Sequence, residues 1–122
     1  MKELKLGAIE ARFADIIWAN APISTANLTQ LSGEAFGWKR TTTYTVLKRL
    51  SEKGIFKNEG GTVYTIISKE EFYSKHSEEV VEESFGGSLP AFIAAFTSRK
   101  KLTQKEIDEI KAMIDKIGSY DT

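Results

Sequence analysis

The stretch that decides the fold runs from residue 38 to residue 54 and reads WKRTTTYTVLKRLSEKG. Its apolar residues recur at the spacing of one helix face, which predicts an amphipathic helix from about Lys39 to Lys53. The predicted inward face consists of Thr43, Val46, Leu47 and Leu50. Thr41, Thr45 and Lys48 fall on the opposite face, and Gly54 supplies the left-handed residue that ends the helix.

Two further helices are predicted before this stretch. Residues 8 to 19, AIEARFADIIWA, carry four large apolar residues at helical spacing. A second helix is expected from about 26 to 33, with either Ser24 or Thr25 as its N-cap. Residues 33 to 37 are interpreted as a turn, after which Phe36 or Trp38 closes over the core.

A β-hairpin is predicted after the third helix. Two β-rich runs, Ile55 to Lys57 and Thr62 to Ile67, flank the turn sequence NEGG at 58 to 61. Three helices followed by a hairpin is the order of a winged helix-turn-helix. The sequence therefore predicts a mainly α protein with a small β-hairpin, whose winged-helix domain covers residues 1–68.

Residues 69–122 are predicted to form three more helices. The first runs from Lys69 to Phe85; Ser88 caps a second, very apolar one; and a capping box at 103 to 106 opens a third that reaches about Ile117. These helices carry more apolar surface than a monomer leaves exposed to water, which predicts a homodimer. The candidate dimerisation residues are Phe72, Val80, Leu89, Phe92, Ile93, Phe96, Ile107, Ile110, Ile114 and Ile117.

The charge of the chain is unevenly distributed, although its formal net charge is zero. Residues 1 to 68 hold nine basic and six acidic side chains, and the remainder holds eight basic and eleven acidic ones. Six of the cations lie between positions 39 and 57, beside one acid, Glu52. Such a cluster favours a polyanionic partner for the first part of the chain.

The residue types in this cluster suit a helix that enters the major groove of double-stranded DNA. Short hydroxyl side chains can contact base edges, and cations bind phosphates. The candidate DNA-binding residues are Lys39, Arg40, Thr41, Thr42, Tyr44, Thr45, Lys48 and Arg49 on the helix, and Lys57 and Asn58 on the hairpin. The alternative for the helix is a merely solvated basic face; the order of the elements and the threonine cluster weigh against it.

Several other classes of protein are disfavoured by the composition. There is no cysteine, so a disulfide scaffold, a zinc-cysteine site and thiol catalysis are excluded. His76 is the lone histidine, and no catalytic set or metal-site spacing accompanies it, so neither enzyme activity nor a metal or cofactor is predicted. No apolar run approaches the ~18 residues of a membrane span, and a signal peptide is not recognisable, so the expected location is the cytoplasm.

The chain resembles the penicillinase-repressor family along nearly its whole length. The resemblance rests on IIWANAPIS at 16 to 24, on the pattern W-x-x-T-T-x-x-T-x-L-x-R-L-x-x-K-G at 38 to 54, and on VYTIIS at 63 to 68. It implies a homodimeric transcriptional repressor that binds an inverted-repeat operator with TACA/TGTA half-sites and controls antibiotic-resistance genes. Thr42, Thr45 and Arg49 match the motif directly, so the resemblance implies a DNA role for them.

The resemblance also suggests an inducing partner, a membrane sensor protease system that triggers derepression. In antibiotic-sensing members the cut falls at an Asn-Phe bond, whose equivalent here is Ala95-Phe96. The phenylalanine is present and the asparagine is not, so induction by that cut is not expected. Copper-responsive relatives use a cysteine cluster that this chain lacks.

Two alternatives stay open at this point. The same DNA-binding head could belong to an activator or a ligand-responsive regulator, with an effector near Phe92 and Phe96. The winged helix could instead use its third helix to bind a protein partner.

Overall fold

The computed structural model describes residues 6 to 118 and is mainly helical, with a small antiparallel sheet. The elements are α1 (Ala8–Asn20), β1 (Ile23–Ser24), α2 (Thr25–Phe36), α3 (Arg40–Glu52), β2 (Phe56–Glu59), β3 (Thr62–Thr65), α4 (Lys69–Phe85), α5 (Leu89–Thr97) and α6 (Gln104–Gly118). The predicted fold class is confirmed: three helices and a hairpin, in the order of a winged helix, are followed by three more helices.

The sheet has three strands in the order β1-β3-β2, one more than the predicted hairpin. β1 pairs with β3 through Ile23 opposite Val63 and Ser24 opposite Thr62. The Thr25 amide then donates a hydrogen bond to the Gly61 carbonyl at 2.9 Å. The start of α2 is therefore fastened to the hairpin.

The hairpin turn is tighter than predicted. β2 continues through Asn58 and Glu59, which pair with Val63 and Thr62, so these two residues belong to the strand rather than to the turn. Only the two glycines, Gly60 and Gly61, turn the chain, with φ of 61° and 82°. Positive φ at both central residues suits a two-residue hairpin, because that backbone follows the twist of the strands.

Helix α2 is longer than the predicted 26 to 33, and the predicted turn at 33 to 37 is wrong except at its last residue. Gly33 is helical, and the chain leaves the helix at Gly37, whose φ is +70°. Ser24 is the N-cap, since its hydroxyl accepts a hydrogen bond from the Asn27 amide at 3.0 Å. Phe36 lies in the last turn of α2, and its ring centroid is 4.7 Å from that of Trp38. This aromatic contact favours a helix that continues to Phe36 over one that ends at Gly33.

The chain divides into two compact units, the first ending at Glu79 and the second beginning at Val80. The first unit has a continuous apolar core. Its fully buried side chains include Phe13, Ile17, Leu28, Leu50, Ile55, Phe56, Val63 and Phe72. Trp18 ties the first part of α4 to this core: its ring centroid lies 5.6 Å from that of Phe72, and its Nε1 donates to the Ile67 carbonyl at 3.0 Å.

The second unit contains the end of α4 together with α5 and α6. Gly86 and Gly87, with φ of 58° and 82°, end α4 as predicted. The Ser88 hydroxyl accepts from the Ala91 amide at 3.1 Å and caps α5. The capping box of α6 is present, because the Thr103 amide donates to Glu106 Oε1 at 3.0 Å and the Glu106 amide donates to Thr103 Oγ1 at 3.1 Å. Across residues 6 to 118, no helix has both the length and the apolar character required to cross a membrane.

Candidate nucleic-acid interface

Helix α3 is oriented by its apolar side, as the periodicity predicts. Thr43, Val46, Leu47 and Leu50 are its four buried residues. The Thr43 hydroxyl donates to the Lys39 carbonyl at 3.3 Å, so the buried hydroxyl is satisfied inside the helix. After α3, the left-handed Gly54 turns the chain, and the Ile55 amide donates to the Leu50 carbonyl at 3.2 Å. The inward prediction for α3 is confirmed, and the opposite side of the helix faces solvent.

The outward face of α3, defined here by residues 39, 40, 41, 42, 45, 48 and 49, is exposed along its whole length. Four of these seven residues are cations: Lys39, Arg40, Lys48 and Arg49. None of the four forms a salt bridge within residues 6 to 118. Cations without an acidic partner on one helix face attract a polyanion, because no acid within the protein offsets their charge.

The threonines of the outward face differ in which hydrogen-bonding groups remain available to a partner. The Thr45 hydroxyl donates to the Thr41 carbonyl at 2.9 Å, which leaves its lone pairs and its methyl group for a partner. The hydroxyls of Thr41 and Thr42 make no hydrogen bond within the described chain. They remain able to donate as well as to accept. At a base edge, Thr45 can therefore act as an acceptor or through its methyl, and the other two can also be donors.

Arg40 and Tyr44 form a local cluster at the start of α3. The Arg40 guanidinium carbon lies 5.2 Å from the centroid of the Tyr44 ring. Tyr44 is half-buried and packs on the core, unlike the exposed residues around it. Hydrogen bonding from the Thr25 side chain, followed by hydrogen bonding and charge from Arg40, lowers the pKa of the Tyr44 hydroxyl below its ordinary value. The sequence prediction that Tyr44 belongs to the interface stays untested, but the structure assigns its ring to an intramolecular contact.

The hairpin residues Lys57 and Asn58 are both exposed, as a phosphate contact requires. Lys57 is not a free cation, however. Its ammonium lies 3.1 Å from Glu59 Oε2 and 5.5 Å from the Tyr64 ring centroid. An exposed ion pair of this kind is worth ~0–1 kcal/mol, so a phosphate can compete for Lys57 with Glu59.

Two of these contacts were missed by sequence reasoning, although each has a local signal. Arg40 and Tyr44 are four residues apart on a helix, the spacing at which side chains meet. Lys57 and Glu59 are two residues apart on a strand, so they share one face of the hairpin. The Thr25 contact has no such signal, because it joins two separate helices.

The candidate dimerisation residues lie in different surroundings. Phe72 is 1% exposed inside the core of the first unit, so its side chain is not available to a partner, and this part of the prediction is corrected. Val80, Phe92, Ile107 and Ile110 are half-buried. The remaining residues are exposed: Leu89, Ile93, Phe96, Ile114 and Ile117, together with Met113.

The candidate cleavage position, Ala95-Phe96, lies near the end of α5 and is exposed. The Phe96 ring stacks at 6.4 Å on that of Phe92. His76 stacks on Phe72 with its centroid at 6.2 Å, which makes it a packed histidine of the first unit. Between residues 6 and 118, no three histidine or acidic side chains gather in the manner of a metal site.

The chain is similar to the proteins of one known family. A family model described as "Penicillinase repressor" matches residues 6–116. The chain is 22% identical over 119 residues to the methicillin resistance regulatory protein MecI of Staphylococcus aureus (strain N315), covering 94% of this chain and 97% of that protein. The same protein of Staphylococcus epidermidis matches with the same identity and coverage.

Proposed function

The chain belongs to the penicillinase repressor family, whose members are DNA-binding transcriptional regulators rather than enzymes, and we propose that it represses transcription by binding an operator as a homodimer. The observation that carries this proposal is the outward face of α3. Its cations are unpaired within the described chain, and its threonines are exposed. Between residues 6 and 79, no other helix combines these two properties.

The outward face of α3 divides into two kinds of contact. Thr41, Thr42 and Thr45 are short and reach base edges only if the helix lies deep in the major groove. Lys48 and Arg49, one turn further along, suit phosphates, whose contacts set the register of the helix without reading sequence. In this arrangement the threonines supply specificity and the cations supply affinity.

The hairpin extends the interface beyond α3. β1 and the Thr25 amide fasten the start of α2 to the hairpin, so the two elements form one support. Lys57 and Asn58 then contact a phosphate strand beside the groove. Glu59 competes with that phosphate for Lys57, which makes the hairpin the weaker part of the interface.

The apolar residues of α5 and α6 are assigned to the homodimer contact. Ile114 and Ile117 are 60% and 63% exposed on α6, and Leu89 is 58% exposed on α5. Burial of such surface stabilises an assembly by roughly 25 cal/mol per Å². Two-fold symmetry then places two α3 helices on two half-sites, which accounts for an inverted-repeat operator.

The operator, its genes and the inducing signal are inferred from the relatives rather than from the residues of α3. The name of the staphylococcal relatives connects them with methicillin resistance, and we extend the proposal to a TACA/TGTA-type operator of antibiotic-resistance genes. A membrane sensor protease system is the corresponding inducing partner. Because Ala95 stands where the asparagine of the cut bond is expected, induction by cleavage at that bond is not proposed.

The experiment that tests the proposal measures binding of the full chain to an inverted-repeat TGTA-type duplex and to a scrambled duplex at one salt concentration. We expect clear preference for the inverted repeat, of the order of 10³-fold or more. Equal affinity for the two duplexes would contradict sequence-specific binding.

The separate roles of the threonines and the cations of α3 are tested with two variants. Thr45→Ala should reduce the preference for the inverted repeat, with little change in binding to scrambled DNA. Lys48→Ala should weaken binding to both duplexes and reduce the salt slope by about 0.9, the value for one lost phosphate contact. Lys111→Ala, which removes an equal charge from α6, is the matched control and should change neither quantity.

A further inference from the structure

The cluster of Thr25, Arg40 and Tyr44 joins the start of α2 to the start of α3. Tyr44 is half-buried and packs on the core, so its ring is held in place from below. Arg40 is exposed and has no acidic partner within residues 6 to 118, and its guanidinium carbon lies 5.2 Å from the Tyr44 ring centroid. A ring held by the core therefore supports a guanidinium that has no acidic partner within residues 6 to 118.

We infer that Tyr44 is a positioning residue, which holds the Arg40 guanidinium over its ring so that Arg40 reads a guanine at the operator. This inference rests on the proposed function and adds a specificity-determining pair to it. The three threonines of the outward face have counterparts in the motif, whereas Arg40 and Tyr44 occupy its unspecified positions.

The position of Arg40 as the first residue of α3 favours a base over a phosphate as its target, because the N-terminal residues of a recognition helix contact base edges. Arg40 hydrogen-bonds to the Tyr44 hydroxyl, and the other N–H groups of its guanidinium, which has five, remain able to donate to DNA. Two parallel donors match the O6 and N7 acceptors of guanine in the major groove. An unsupported arginine loses side-chain entropy when it binds, and the contact with Tyr44 removes part of that cost before the DNA arrives.

Thr25 completes the support from the neighbouring helix. Hydrogen bonding from its side chain lowers the pKa of the Tyr44 hydroxyl, and the Thr25 amide is bound to the Gly61 carbonyl of the hairpin turn at 2.9 Å. The Tyr44 ring itself packs against the core. The position of Arg40 depends in this way on α2 and the hairpin, not on α3 alone.

The test is a double-mutant cycle on the full chain with Arg40→Ala, Tyr44→Met and the double variant. The probe is the inverted-repeat TGTA-type duplex, a set of its single-base-pair variants, and the scrambled duplex. Methionine keeps an apolar side chain on the core and removes the ring. Each single variant should lower the preference for the best duplex by about tenfold, the cost of one bidentate contact, and the double variant should lower it no further.

Two conservative variants separate positioning from mere packing. Tyr44→Phe keeps the ring and should retain most of the preference. Arg40→Lys keeps the charge but lacks the planar fork, so it should behave as Arg40→Ala in preference while retaining affinity for scrambled DNA. Wild-type preference in Arg40→Ala or Tyr44→Met, or effects that multiply in the double variant, would overturn the inference.

A measurement without DNA tests the contact between Arg40 and Tyr44 separately from the proposed function. Tyrosine labelled at Cζ reports the ionisation of Tyr44 by NMR. Arg40 lowers the pKa of this phenol, so Arg40→Ala should raise it, while Lys48→Ala should leave it unchanged. An unchanged pKa in Arg40→Ala would refute the contact itself. If the pKa moves but the wild-type chain binds both duplexes equally, the proposed function fails and the contact stands.

Discussion

The two compact units of this chain achieve their order in different ways. The first unit buries large side chains from every helix and strand, and Phe13, Leu50 and Phe56 are fully inaccessible to water. No residue of the second unit is buried within the described chain, although α5 is the most apolar of the described helices. Its helices are instead defined by local bonds at their ends, at Ser88 and at the Thr103 capping box. The first unit thus packs its large apolar side chains inside itself, while the second leaves its own exposed or half-buried.

The strongest way to test this contrast is to remove the same side chain from each unit. Leu50→Ala leaves a cavity in the core and should cost about 3 kcal/mol of unfolding free energy. Leu89→Ala removes a leucine that is 58% exposed and should leave the first unit unchanged. Both tryptophans, Trp18 and Trp38, lie in the first unit, so denaturant unfolding followed by tryptophan fluorescence reports on that unit. Equal losses in the two variants would contradict the contrast.

The second prediction concerns the apolar surface of α6. Ile114→Asp combined with Ile117→Asp should convert a dimer to a monomer and weaken operator binding roughly 100-fold, because the second half-site is no longer bound in the same complex. Ala112→Asp adds charge on the opposite face of the helix and should preserve the dimer. Sedimentation measures the assembly and anisotropy measures the binding. A dimer that survives in the double variant would place the contact elsewhere.

A smaller effect is expected at an imperfection in the core of the first unit. The Ser32 hydroxyl is fully buried and has no hydrogen-bond partner within the described chain. Ser32→Ala should therefore raise the unfolding free energy by about 1 kcal/mol. Ser51→Ala removes a hydroxyl that donates to the Leu47 carbonyl at 2.9 Å, and it should bring no gain. Denaturant unfolding compares the two, and destabilisation by Ser32→Ala would show that the hydroxyl is satisfied.

The smallest effect is expected from pH at the start of α6. Hydrogen bonds from the Thr103 backbone and side chain lower the pKa of Glu106 below its ordinary 4.5. Since the folded-state pKa is the lower one, the stabilisation is complete above the unfolded value and is lost as pH falls through the folded value. Thr103→Ala should move the Glu106 pKa back toward its ordinary value, as measured by carboxyl-carbon NMR. An unchanged Glu106 titration would argue against the capping box.

Much of the first unit was predictable because its signals are local. The inward face of α3 follows from the spacing of apolar residues in an amphipathic helix, and Thr43 is buried on that face although it is polar. β1 escaped prediction because two residues, Ile23 and Ser24, have no periodicity, and they become a strand only through pairing with β3. The end of α2 was misplaced because Gly33 and Gly37 look alike in sequence, while the packing of Phe36 on Trp38 distinguishes them.

The candidate site likewise has features that the sequence predicts and features that only the fold sets. Which residues are exposed on α3 could be predicted from angle alone, and all seven of the outward face are. The contact of Tyr44 outside α3 could not be predicted, because only the fold brings it near the Thr25 side chain of α2, whose hydrogen bonding lowers the pKa of the Tyr44 hydroxyl. The contact of Lys57 with Glu59 lies at a spacing that the sequence itself contains. The DNA role of these residues stays a prediction.

The sequence by itself determined the order of the helices, the facing of α3 and the helix ends at Gly54, Gly86 and Thr103. These depend on side-chain spacing and backbone freedom within a few residues. Only the tertiary structure decided that Phe72 belongs to the core of the first unit and that β1 completes the sheet. The physical reason is that burial and pairing depend on which distant surfaces meet, and a local pattern shows that a surface is apolar without showing what covers it.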